Sequence, residues 1–236
     1  MYRIRFHGRG GQGIQTAGRI LGTTFLLEGF EVQEAPRYGA ERWGAFLFAS
    51  VRAAHKPINE RGMIRHPDLV VVADDTLFAV PAARVLLGIT SQTVLLLDSV
   101  EPTSVWQQRL NFPGRLLVLP TIADGEDRAA LPSRGAICAG AAARLIGLRR
   151  RSLEQAIGEE LASTDPAVSP HDLDQALAAY DRMAEHAGIV GQGEMPPQAL
   201  NSATAWVKLP AQALNSPAAW VKSDHRKPPR SGGLPR

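Results

Sequence analysis

His7-Gly8-Arg9-Gly10-Gly11-Gln12-Gly13-Ile14 stands between two different periodicities. Before it, Tyr2, Ile4 and Phe6 alternate with Arg3 and Arg5, the period of two that predicts a strand. After it, Ile14, Ala17, Leu21, Thr24 and Phe25 recur at helical spacing and predict a helix running to Leu27. The glycine stretch is therefore a strand-to-helix turn. Gly8, Gly10 and Gly13 match G-x-G-x-x-G in the context that gives the pattern meaning. There glycine permits positive φ, close approach of a ligand to the backbone, and tight helix packing. Glu34, near the end of the next apolar run, stands where an acid binding a ribose is expected. A dinucleotide turn and a tight β-α connection with no ligand both use such glycines, and both readings stay open here. No Lys-Ser or Lys-Thr pair follows, which excludes a P-loop.

Downstream, Phe30 to Ala35 reads as a second strand closed by Pro36. Then comes Arg37-Tyr38-Gly39-Ala40-Glu41-Arg42-Trp43-Gly44, polar, aromatic and glycine-bearing, in the place where open α/β sheets bind their ligands. Ala45 to Val51 alternates as a strand with Phe46, Phe48 and Ser50 on one face. Leu69 to Ala73 is a continuous apolar run, the mark of a parallel strand covered on both faces. Asp74 and Asp75 end it; either could hold a cation or a hydroxyl, and either could cap a helix beginning near Thr76. Thr93 to Leu97 repeats the arrangement with Asp98 and Ser99, and Arg115 to Leu119 is a third such strand, leading to Pro120-Thr121. The expected fold is α/β, a doubly wound, mostly parallel Rossmann-like sheet with helices on both faces.

Helices are expected over Ala136 to Ile146, from Ser152 onward, and over His171 to His186 with Leu173, Leu177, Tyr180 and Met183 or Ala184 as the apolar stripe. Cys138, with no basic neighbour, reads as a small buried hydrophobe. The expected division is an α/β domain over residues 1–188 and an extended C-terminal tail over 189–236. In that tail Gln198-Ala199-Leu200-Asn201-Ser202 recurs as Gln212-Ala213-Leu214-Asn215-Ser216, and Ala205-Trp206-Val207-Lys208 as Ala219-Trp220-Val221-Lys222. A repeated tryptophan anchor reads as an arm laid over another subunit, or as a duplication without a role.

The chain has 236 residues and a formal charge of +3, enough for one α/β domain of about 180 residues and an appendage. No apolar run nears the roughly 20 residues of a membrane span, and no signal-peptide pattern opens the chain, so a cytoplasmic protein without a membrane span is expected. One cysteine cannot supply an internal disulfide, an iron-sulfur cluster or a thiolate zinc site. Basic residues gather at Arg149, Arg150 and Arg151 and in the last segment, yet without an RNA-binding motif or zinc finger, so nucleic acid is not an expected partner.

The glycine turn, Glu28-Gly29, Val32-Gln33 and the Pro36 to Gly44 segment together resemble the gamma subunit of the 2-oxoacid:ferredoxin oxidoreductases, the pyruvate, 2-oxoisovalerate and phenylglyoxylate type. The resemblance covers about residues 1 to 187. Trp43 departs from it, since these proteins usually carry arginine or glycine there. The resemblance implies a complex that oxidatively decarboxylates a 2-oxo acid to an acyl-CoA. It would use thiamine diphosphate, Mg and [4Fe-4S] clusters held by alpha, beta and ferredoxin-like delta subunits, with ferredoxin or NAD as acceptor. This chain would hold none of those groups and no catalytic residue; it would pack on the catalytic subunits and help shape the coenzyme A entrance.

The residues expected there are Gly8, Arg9, Gly10, Gly11, Gln12, Gly13, Arg37, Tyr38, Glu41 and Arg42. A turn with free N–H groups at a helix N-terminus suits a phosphate or carboxylate, which the arginines reinforce. Equally, the arginines and Glu41 pair across a subunit boundary. Rival readings are an indolepyruvate oxidoreductase subunit, which usually has glutamine at the position of Glu41, a free-standing NAD-binding reductase using Glu34, and a pure interaction protein.

Overall fold

The structure, a computed structural model, describes residues 1–38, 45–120, 134–163 and 169–193. Six strands form one sheet: β1 (Tyr2–Arg9), β2 (Glu31–Tyr38), β3 (Phe46–Ala54), β4 (Leu69–Val72), β5 (Val94–Ser99) and β6 (Arg115–Pro120). Their order across the sheet is β2-β3-β1-β4-β5-β6. β1, β4, β5 and β6 run parallel, and β3 is antiparallel to both of its neighbours. The expected mostly parallel, doubly wound sheet is present, with a hairpin, β2-β3, inserted beside β1.

Register assigns the faces. Ile4, Phe6, Leu69, Val71, Val94 and Leu96 share the side covered by α1 (Ile14–Leu26) and α3 (Arg134–Ile146), and α4 (Arg150–Leu161) and α5 (Pro170–Arg182) pack outside these. Val70, Val72, Leu95, Leu97 and Leu116 face the other side, under two 3-10 turns and the short helix α2 (Thr103–Arg109), whose Trp106 is 1% exposed. All four residues of β4 are buried because both faces are covered, which is why the run is unbroken by polar residues. Burying each such valine or leucine stabilises the fold by roughly 1.5–3 kcal/mol. The alanine-rich sequence of α3 has a geometric cause: a Cβ on Gly140 would lie 2.1 Å from the carbonyl oxygen of Ala176 on α5.

Several boundaries differ from the sequence reading. β2 runs through Pro36 to Tyr38 instead of ending at Ala35. It is an edge strand paired only with β3, where a residue without N–H costs no central ladder bond. The element after β4 is a 3-10 turn, Asp75–Ala79, and its cap is Asp74, whose side chain accepts from the Thr76 N–H at 3.0 Å. α5 ends at Arg182, with a separate 3-10 turn over Ala184–His186. Its N-terminus carries a capping box between Ser169 and Asp172 that sequence reading passed over.

The arginines that alternate along β1 are not solvent-facing. Arg5 is 1% exposed and donates to the carbonyls of Ile64 and Val85 at 3.3 and 2.9 Å. Arg3 forms a bidentate pair with Glu60. Both hold the segment between β3 and β4 over the sheet face, and Arg5 also holds that between the 3-10 turns and β5. Of the expected tail, residues 189–193 are described: Val190 is 2% exposed, and the Arg3 guanidinium donates to the Gly193 carbonyl at 3.1 Å. The rest of the tail, with the duplicated peptide, lies outside the described residues.

Candidate functional site at the glycine turn

Chain winding reverses around β1. From β1 the chain passes over one face through α1 to β2 and β3, then returns across the other face to β4 on the opposite side. The carboxyl ends of β1 and β4 therefore flank a topological switch point, the crevice where open α/β sheets bind ligands. The glycine turn occupies it.

Within the turn the glycines divide the work differently from the pattern that flags them. Positive φ is taken by Gly11 (93°) and Gly13 (66°). Gly8 is instead a matter of space, because a Cβ there would lie 2.5 Å from the Ile14 side chain that opens α1. Gly10 donates its N–H to the carbonyl of Ala45 at 3.0 Å. That bond fastens the turn to the first residue after the Tyr38-to-Gly44 loop. The turn is thereby joined to the start of β3.

Side chains then lock the turn to β4. Gln12, 3% exposed, accepts from the Arg9 N–H at 2.8 Å and donates to Asp74 Oδ2 at 3.2 Å. Arg9 bonds Asp74 Oδ2 through Nε at 3.1 Å and Thr76 Oγ1 through Nη2 at 2.9 Å. Burial pushes the Asp74 carboxyl up, but hydrogen bonds from Thr76 and Gln12 and the charge of Arg9 outweigh it and hold the group below the ordinary carboxylate range. The Arg9 side chain is 33% exposed, so one part is braced and another reaches the surface. Among the described residues the N–H groups of Gly11 and Gly13 have no acceptor, and they precede the N-terminus of α1. Backbone donors, a helix N-terminus and an arginine in one corner can hold an anionic group.

Of the expected site residues, Gly8 to Gly13 lie together at this corner. Arg37 and Tyr38 end β2, opposite Phe48 and Leu47 of β3. Glu41 and Arg42 lie outside the described residues. Glu34 is not part of the corner. The inserted β3 separates β2 from β1, and Glu34 packs under α1, where a Cβ on Gly18 would lie 3.1 Å from its Oε1. Burial raises its pKa, while Arg19 pulls it down and Glu160 adds to the rise. It cannot serve a ribose held at the turn, and the NAD reading loses its acid.

Sequence reading missed Gln12 as a brace and Arg134 altogether. Arg134, 2% exposed at the start of α3, donates to Asp98 Oδ2 at 2.8 Å and to the Ala73 carbonyl at 3.0 Å. An arginine opening a helix gives no signal that it points inward. Among the described residues no group of three or more His, Cys, Asp or Glu could hold a metal ion, and no helix is long and apolar enough to cross a membrane. Cys138 is buried, and its thiol is raised well above its ordinary range by burial and by Asp98, so it does not present a thiolate.

Residues 3–182 match the family model for pyruvate ferredoxin/flavodoxin oxidoreductase. The chain is 35% identical over 159 residues to the pyruvate/ketoisovalerate oxidoreductases common subunit gamma of Pyrococcus furiosus, covering 66% of this chain and 85% of that one. Among solved structures it resembles a pyruvate oxidoreductase subunit of Thermotoga maritima, with a TM-score of 0.59 and 28% identity over 78% of this chain and 95% of the other. The fold is also that of part of a 2-oxoglutarate:ferredoxin oxidoreductase from Magnetococcus marinus, solved with 2-oxoglutarate, coenzyme A and succinyl-CoA bound. There the TM-score is 0.56 and the identity 18%, over 83% of this chain and 32% of that one.

Proposed function

The chain belongs to the pyruvate ferredoxin/flavodoxin oxidoreductase family, in the branch of its gamma subunits, and from that premise we propose that its glycine turn forms part of the coenzyme A entrance of the assembled enzyme. The observation that carries this reading is the corner itself. Positive-φ glycines, the start of α1 and a braced Arg9 converge at the switch point of the sheet. A diphosphate placed there would meet backbone N–H groups and a guanidinium, and the carboxylate described beside them, Asp74, is already engaged by Arg9, Gln12 and Thr76.

In this reading the complex oxidatively decarboxylates a 2-oxo acid, and companion subunits carry the thiamine diphosphate and the iron-sulfur clusters. The donor set here does not fit a cluster: a single buried cysteine offers no set of cluster ligands. What this chain contributes is orientation. Gln12 and Asp74 fix the direction of Arg9, and the Gly10–Ala45 bond fastens the turn to the start of β3. The duplicated tryptophan peptide of the tail serves as an arm gripping another subunit.

The test uses the complex purified with all subunits. Arg9→Gln should raise KM for coenzyme A about ten-fold while KM for the 2-oxo acid stays put. An unchanged KM for coenzyme A would remove the reading. Calorimetry of the isolated chain with NADH should give no heat; measurable binding would restore the reductase alternative.

A further inference from the structure

The first two residues of α3 touch both sides of the glycine turn. Arg134 reaches across the ends of two strands: its Nη1 donates to Asp98 Oδ2 on β5 and to the carbonyl of Ala73 beyond β4. Ala73 in turn donates its N–H to the His7 carbonyl on β1 at 2.8 Å. The next residue along the chain, Asp74, is the acceptor for Arg9 and Gln12. On the other side, Gly135 lies directly against the N-cap of α1: a Cβ there would stand 1.9 Å from the Gly13 carbonyl oxygen.

We propose that Arg134 is a positioning residue for the glycine-turn site, holding the ends of β1, β4 and β5 in register so that the start of α3 forms the second wall of the corner. The inference rests on the turn being part of the coenzyme A entrance. Arg134 does not touch the ligand; it acts through Ala73-Asp74 on Arg9, and through Gly135 on Gly13.

Energetics separate this role from mere stability. Arg134 and Asp98 are 2% and 4% exposed, and desolvating such a pair consumes much of what its attraction returns. Replacing a buried pair by apolar side chains of similar size is often neutral for stability, whereas the hydrogen bond that fixes Ala73 disappears with it. Stability and positioning therefore respond differently to the same double substitution.

The experiment compares, in the complete complex, Arg134→Met combined with Asp98→Leu, Arg134→Lys, Gly135→Ala and the control Arg9→Gln. For each, Tm, KM for coenzyme A and kcat at saturating coenzyme A are measured. The double variant is expected to assemble with a modest loss of Tm, from the Ala73 carbonyl left without its donor, to raise KM for coenzyme A about ten-fold, and to hold kcat within about two-fold. Gly135→Ala, which must push α3 off the turn, should raise KM in the same way. Should the double variant not assemble, Arg134→Lys and Gly135→Ala decide by the same criterion. If KM for coenzyme A rises in Arg9→Gln but in none of the α3 variants, Arg134 is only structural and this inference falls alone. If Arg9→Gln also leaves KM unchanged, the coenzyme A reading falls and takes the inference with it.

Discussion

Arg9 Nε lies 3.1 Å from Asp74 Oδ2, a bond that ties the end of the first strand to the end of the fourth across the reversal in chain winding. The same carboxylate serves Gln12 and Thr76, so four donors depend on one residue. Asp74→Ala should cost about 1–3 kcal/mol in urea denaturation, and Asp74→Asn less. Because the Asp74 carboxyl sits below its ordinary value, its contribution is present above about pH 4 and lost as pH falls through its folded value. The parent should therefore lose stability on acidification in that range more steeply than Asp74→Ala. Equal slopes would show that the carboxylate is not coupled to the turn.

Two groups shifted by desolvation oppose each other at mildly acidic pH. Burial raises Asp68 to about 6, against hydrogen bonds and charge from Arg3, the amino terminus and Gly193. A carboxyl raised in the folded state makes stability fall as pH climbs from about 4 to 6, by on the order of 2 kcal/mol. Burial, and then the charge of Arg5, hold His7 well below its ordinary range, with a partial offset from a hydrogen bond to Ala83. A neutral buried histidine makes stability rise with pH up to about 6.5. The parent should thus show a shallow profile between pH 4 and 6.5, and Asp68→Asn should expose a rise with pH. A flat profile in Asp68→Asn would contradict the placement of His7.

Helix glycines should separate by their surroundings. A Cβ at Gly158 of α4 meets nothing within 4 Å, so Gly158→Ala should stabilise by about 0.5–1 kcal/mol. At Gly140 the Cβ would strike the Ala176 backbone, and Gly140→Ala should destabilise by about 1–3 kcal/mol. Thermal melts of the two variants shifting the same way would refute the α3–α5 packing.

The carboxyl-terminal strap gives a truncation pair. Ending the chain at Gly193 retains Val190 in the core, the Val190 N–H to Leu145 bond and the Arg3–Gly193 bond. Ending it at Ala187 removes all three. The longer product should melt with the parent, and the shorter should lose about 2–4 kcal/mol. If the tail grips another subunit, the longer product should also fail to retain partners on purification.

Much of the fold is legible in the sequence alone. The change from a period of two to a helical period placed the glycine turn, and continuous apolar runs marked β4, β5 and β6 because both of their faces are covered. The resemblance carried by the Gly8-to-Gly13 and Pro36-to-Gly44 segments identified the family, and the single cysteine bounded what chemistry the chain can host. Periodicity is local, and these features are local.

What tertiary structure alone decided is which strands are neighbours and where buried charge goes. Nothing in the sequence says that β3 slips between β1 and β2, yet that insertion takes Glu34 from the turn and leaves it under α1. Nor does it say that Arg5 and Arg134 turn inward, since an arginine looks the same in sequence whether it meets water or a carbonyl. Hydrogen-bond partners more than sixty positions apart are set by the winding of the chain, and no local pattern records them.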